Sequence, residues 1–154
     1  MHWCIRYKTK ELQLVGIKEK KGGTERKMVK RAEELVSEQK PSPFNGVGTI
    51  SCKELLKVPE EMYSKGRFFG HTTVMPGSGI GYHVHEKESE TYYVLKGTGR
   101  FNDNGTIQIV KPGDVTFTGA GEGHGLEAVG EEPLEVIALI LFCLLYTSPS
   151  PRDS

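Results

Sequence analysis

The sequence predicts an all-β fold, an antiparallel jelly-roll or β-sandwich barrel with short N-terminal helices. Three observations predict it. From about residue 65 onward, short apolar or aromatic runs recur at strand-like intervals, Gly, Pro, Asn and Asp separate them, and no helix-length periodic stretch interrupts them. The 154 residues suit one domain that buries a core without disulfides or a structural metal.

Residues 1–27 hold Arg6, Lys8, Lys10, Lys18, Lys20, Lys21, Arg26 and Lys27 against Glu11, Glu19 and Glu25. That excess of positive charge predicts a solvated, unstructured segment. Lys20-Lys21-Gly22-Gly23 ahead of Met28 suits translation of a purine-rich ribosome-binding stretch, which makes 1–27 a candidate non-native extension. Between Val29 and Gln39, the apolar Val29, Ala32, Leu35 and Val36 fall at helical spacing and predict a short amphipathic helix ended by Pro41 and Pro43. Ser51-x-x-Glu54 ahead of Leu55-Leu56 has the form of a capping box and predicts a second short helix that Pro59 stops.

Strands are expected near 67–75, 80–85, 90–96, 99–103, 106–110, 114–118, 124–129 and 134–142. Pro76-Gly77, Asp103-Asn104-Gly105, Pro112-Gly113-Asp114 and Glu131-Glu132-Pro133 supply turns between them. The expected domain is thus 28–142, with its barrel at about 65–142. Residues 143–154, rich in Ser and Pro, predict an unstructured tail similar to translated sequencing-adapter read-through.

Composition narrows the function classes. With 20 basic and 20 acidic residues, the chain has no general electrostatic footprint for nucleic acid. Cys4, Cys52 and Cys143 are odd in number and widely spaced, which argues against a disulfide framework or a cysteine zinc site. The first thirty residues offer no apolar run longer than Leu14-Val15-Gly16-Ile17, so no signal peptide is predicted and a cytoplasmic location is expected. Val136 to Tyr146 is only about half of the roughly 20 residues a spanning helix needs, so no membrane partner is expected.

The most informative residues are His83, His85, Glu90 and His124. In a strand, His83 and His85 share a face, whereas a helix would turn them about 200° apart. Three imidazoles and one carboxylate form a mixed nitrogen and oxygen donor set that suits divalent manganese, iron, nickel or zinc better than calcium. An octahedral ion held by four such donors keeps two positions for a substrate oxygen, water or dioxygen.

The spacing Gly77-x5-His83-x-His85-x4-Glu90-x6-Gly97 resembles the first motif of the cupin family. Gly113-Asp114 through Gly119-Ala120-Gly121 to His124 is similar to the second motif, departing from it at Gly119, where the family usually has proline, and at Ala128, where it usually has asparagine. Neither position is a candidate ligand. The resemblance covers about 65–142 and implies a cupin barrel that binds Mn(II) or Fe(II) first, with Ni(II) or Zn(II) as alternatives.

Around these residues, His71 and Tyr92 are candidates to line a pocket, although packing is the commoner fate of either. Arg67 and Arg100 are candidates to clamp a carboxylate, against the plainer reading of solvated charges. Glu86, Glu88, Glu122 and Glu127 flank the histidines and are candidate proton carriers, solvated loop charge being the default. Gly119 to Gly125 lacks the lysine and following helix of a phosphate loop, so tight turning beside the histidines is the better account. Tyr82 and Val84 alternate with the histidines, while Tyr93 and Leu95 lie opposite Glu90; a greasy outer face results, and a homodimer through it is expected.

The function expected from these residues is metal-centred chemistry on a small oxygen-rich substrate, a carboxylate or sugar derivative, by decarboxylation, oxygenation or isomerisation. The alternative is a non-catalytic, metal-dependent module that captures a small ligand. A purely structural role fits poorly with four donor residues in place.

Overall fold

The computed structural model describes residues 28–143. Ten strands lie in the compact unit that begins at Arg31: β1 (Ser37–Pro41), β2 (Thr49–Glu54), β3 (Gly66–Val74), β4 (Gly79–Val84), β5 (Glu88–Lys96), β6 (Thr98–Asp103), β7 (Thr106–Val110), β8 (Val115–Thr118), β9 (Gly123–Val129) and β10 (Leu134–Phe142). They form a six-stranded sheet in the order β1-β2-β3-β10-β5-β8 and a four-stranded sheet in the order β4-β9-β6-β7. Every pairing is antiparallel. This is the all-β sandwich that the sequence predicts, and β3 to β10 match the eight expected strands to within two residues at each end.

The two N-terminal helices are not formed. Between Val29 and Gln39 there is only a 3-10 turn, Ala32–Glu34, before β1 begins. Much of the apolar stripe that suggested a helix stays in water: Val29 is 58% and Val36 83% exposed. In a strand the same segment gives its backbone groups partners on β2, from Ser37 opposite Lys53 to Pro41 opposite Thr49. The supposed capping box at Ser51 falls inside β2, where Ile50 and Cys52 alternate into the core and Ser51 pairs with Thr73. Alternation over 50–52 therefore outweighs the local capping signal. The readings for 1–27 and for residues after Cys143 lie outside the described residues.

The core sits between the sheets. Val74, Val94, Leu126, Leu134 and Val136 are at most 1% exposed and form its centre with Ile80, Phe101 and Ala138. Strand alternation puts them there, because each strand of the large sheet turns every second residue toward the small one. Cross-strand pairing lines the inward residues of the large sheet into rows. One row runs Phe68, Ile140, Glu90, Thr118 across β3, β10, β5 and β8. A neighbouring row runs Gly70, Ala138, Tyr92, Thr116.

The apolar outer surface expected from sequence is divided. β4 and β5 belong to different sheets, so exposed Tyr82 and Val84 face away on one side and exposed Tyr93 and Leu95 on the other. Among the described residues Cys52 and Cys143 are free thiols, and no helix is long and apolar enough to cross a membrane.

Candidate metal centre

A one-residue irregularity in β4 creates the site. Ile80 pairs with Leu126 and His83 with His124, so three steps along β4 match two along β9. Plain alternation from buried Ile80 would have turned Tyr82 and Val84 inward; the extra residue reverses the phase and turns His83 and His85 inward instead. His85 lies just past β4 and is held through its backbone, its N–H donating to Glu122 O at 3.0 Å and its carbonyl accepting from Gly121 N at 2.6 Å. Gly121 has φ of 87°, so glycine is what this turn requires. From the opposite sheet, Glu90 points across from the Phe68 row.

The four side chains converge on one point. His85 Nε2 lies 3.2 Å from His124 Nε2, which lies 3.3 Å from His83 Nε2. Glu90 Oε2 is 2.9 Å from His124 Nε2, 3.1 Å from His85 Nε2 and 3.9 Å from His83 Nε2. Donors about 2.1 Å from a common ion and at right angles to one another stand roughly 3 Å apart, which most of these distances match. One donor atom from each residue falls within 4.8 Å of all the others.

The other nitrogen of each ring is taken. His83 Nδ1 donates to the carbonyl of Gly81 at 2.9 Å, and a carbonyl only accepts, so Nδ1 carries the proton and Nε2 keeps its lone pair. His85 Nδ1 stands 2.9 Å from Glu88 Oε1, and His124 Nδ1 is 2.9 Å from Thr118 Oγ1. Glu88 is itself clamped by Arg67, through Nε at 2.6 Å and a second guanidinium nitrogen at 2.5 Å. Outer partners of this kind fix the tautomer and orientation of a metal-binding histidine. The donor set thus fits a divalent ion in type and spacing, and His83 fits it in tautomer as well.

Packing holds the rings in place. The Tyr92 ring stacks on His124 with centroids 5.3 Å apart and planes 7° apart, and Phe101 meets His124 edge-on at 5.5 Å. On the far side Phe44 stacks on His83 at 3.7 Å, 6° from parallel. Burial alone would raise the Glu90 carboxyl, but hydrogen bonds from His124 and His85 overcome it and hold it at about 2. The Glu90 hydrogen bond, opposed by burial and aided by Glu88, raises His85, whereas burial lowers His83. Burial and the neighbouring Glu90 charge push the Tyr92 phenol well above its ordinary value, so it stays protonated.

Beside the cluster lies a cavity of about 320 Å³, with Arg67, His83, Glu90 and Tyr92 among its lining residues. Tyr92, a candidate for that wall, is both packed in the core and part of the lining. His71 does not: it turns to the outer face of β3, beside Glu135 at 3.0 Å, because inward Gly70 and Thr72 flank it. Arg67 lines the cavity but spends its fork on Glu88, and Arg100 pairs with Glu127 at 2.7 Å on exposed surface. Glu122 accepts from Gly119 N and caps the tight turn; Glu86 is exposed. Sequence reasoning missed Glu88 as the partner of His85, together with Thr118, Gly81 and Phe44. The Glu88-x-Glu90 alternation was the available signal, since it puts both carboxylates on one strand face.

The description "Cupin domain" fits residues 70–140. An oxalate-binding protein of Thermotoga maritima is 41% identical over 114 residues, which cover 74% of this chain and 93% of that protein. The crystal structure of a predicted oxalate decarboxylase from Thermotoga maritima superposes with a TM-score of 0.71 at 41% identity, covering 75% of this chain and 99% of that one. A putative sugar phosphate isomerase from Acidithiobacillus ferrooxidans gives a TM-score of 0.61 at 21% identity over 73% of this chain and 74% of its own, a likeness of fold alone.

Proposed function

The chain belongs to the cupin family, and from that premise we propose that His83, His85, Glu90 and His124 hold one divalent ion, Mn(II) or Fe(II) in preference to Ni(II) or Zn(II), to capture a small oxygen-rich carboxylate. The carrying observation is the convergence of three imidazole Nε2 atoms and one buried carboxylate oxygen beside a cavity. Three neutral rings and one carboxylate leave a divalent ion with a net charge of plus one, which favours an anionic ligand in a buried site. When bound, the ion supplies a Lewis acid that accepts two ligand oxygens and polarises them. The remaining work falls to the protein: Glu88, Thr118 and Gly81 orient the rings, and Phe44, Tyr92 and Phe101 keep water from their faces.

Oxalate, the ligand in the name of the Thermotoga maritima relative, is the first compound to test. Capture is favoured over turnover because the titratable residues described in the cavity wall are already engaged, Lys40 with Glu38 and the Cys52 thiol with Thr72. Glu90 is a candidate ligand, Arg67 is paired, and the Tyr92 phenol is held protonated. Turnover by decarboxylation, oxygenation or isomerisation is the second reading, supported by the solved relative's description as a predicted oxalate decarboxylase. Calorimetry of Mn(II)-loaded and chelator-treated protein with oxalate, followed by carbon dioxide and oxygen measurements, separates them. Binding that needs the metal and releases no carbon dioxide supports capture; absence of metal-dependent binding removes both readings. A homodimer is proposed as well, and a monomeric mass by light scattering at micromolar concentration would remove it.

A further inference from the structure

The cavity is much larger than oxalate. Its volume of about 320 Å³ equals about ten water molecules at roughly 30 Å³ each, whereas oxalate has six heavy atoms. Most of the excess is walled by hydrocarbon: Pro43, Phe44, Ile50, Phe68, Ile80 and Ile140. The polar groups in the same wall are already matched. Arg67 is forked onto Glu88, Cys52 Sγ and Thr72 Oγ1 face each other at 3.7 Å, and Lys40 at the rim sits 3.7 Å from Glu38.

The order of these groups is fixed by strand pairing. Glu90 is opposite Ile140, Ile140 is opposite Phe68, and Lys40 Nζ lies 5.7 Å from the centre of the Phe68 ring. Two strand spacings, roughly 10 Å, therefore separate the candidate metal ligand from the Phe68 end of the wall. Along that distance the cations described in the wall are Arg67 and Lys40, and each already has a carboxylate partner, Glu88 and Glu38.

We propose that the ligand of this pocket is a chelating monocarboxylate, a 2-oxo or 2-hydroxy acid, whose apolar side chain fills the space between Glu90 and Phe68. The inference rests on the metal-capture reading above and narrows its substrate class. The head group contributes one carboxylate oxygen and the adjacent oxo or hydroxy oxygen, and its single negative charge neutralises the plus-one centre. The body meets Ile50, Ile80, Ile140 and Phe68, with Phe44 closing over it beside His83.

The test is calorimetric titration of the full Mn(II)-loaded chain with oxalate, pyruvate and 4-methyl-2-oxopentanoate. The last two share a head group and differ by three carbons, which predicts that 4-methyl-2-oxopentanoate binds about 10–50-fold more tightly than pyruvate. Ile50→Phe, which fills the hydrocarbon end, should weaken 4-methyl-2-oxopentanoate far more than pyruvate and so erase that preference. Phe44→Ala on an exposed turn gives a second variant with a smaller effect in the same direction. Equal affinities for pyruvate and 4-methyl-2-oxopentanoate would overturn the proposal, and tight oxalate binding in the same experiment would leave the metal-capture reading intact. If none of the three binds the metal-loaded protein, both fall together.

Discussion

At the donor end of the cavity, where His83 and Glu90 line the wall and cluster with His85 and His124, each ring has one nitrogen assigned to a protein partner and the other aimed at a shared point. At the end formed by Ile50, Phe68 and Ile140 the walls are hydrocarbon, and part of the enclosure comes from the turn Pro43–Asn45. The first end is specified by hydrogen-bond geometry, which tolerates little displacement, and the second by shape and apolar area, which tolerate volume-conserving change. Affinity for the ion and choice of ligand should therefore respond to different substitutions.

The largest test of that separation is Glu90→Gln. Removing the only carboxylate among the four donors should weaken Mn(II) binding by more than about 100-fold, beyond the effect of losing an outer partner. Circular dichroism should still report a folded sandwich, since the apolar core does not include Glu90. Loss of the fold would mean that the two ends are one structural unit. Next in size is Glu88→Gln, which leaves all four donors but disturbs the partner of His85; metal affinity should fall about 10–100-fold. An unchanged affinity would show that Arg67 and Glu88 serve the surface alone.

Chelation sharpens the comparison thermally. Metal at about 100 times its dissociation constant should stabilise the folded state by about 2.7 kcal/mol, so adding a chelator should lower the melting temperature without lowering strand content. The smallest effect is expected of Phe44→Ala, whose side chain is 54% exposed: about 1 kcal/mol in ligand affinity, roughly fivefold, with metal affinity unchanged. A parallel loss of metal would show that stacking on His83, and not enclosure, is the role of this ring.

How much of this was legible from residue order differs between the same two regions. The strands from β3 to β10 and the converging histidines are written in short-range patterns: alternation, turn residues and the His83-x-His85 spacing. The β4 irregularity is not, because one extra residue shows only against its partner strand, yet it decides which side chains face inward. The hydrocarbon end was the least legible. Its edge comes from β1 and the Pro43–Asn45 turn, in a segment whose charges and apolar residues mimic a helix and whose strand state depends on pairing with β2. Glu88, Thr118 and the Gly81 carbonyl escaped for a related reason: each matters only through the rotation of a ring.

The turn carrying Phe44 lies directly against the backbone of β4 where Gly46 and Gly81 leave room; a methyl group on Gly81 would collide with the Phe44 carbonyl oxygen, and one on Gly46 with the Gly79 carbonyl oxygen. Two hydrogen atoms in place of methyls thus act as the latch for that side of the vessel. Substitution at either position would push the Phe44 turn away from β4 and widen the mouth of the cavity while leaving all four candidate donors unaltered, so that the space beside the cluster could change independently of the cluster itself.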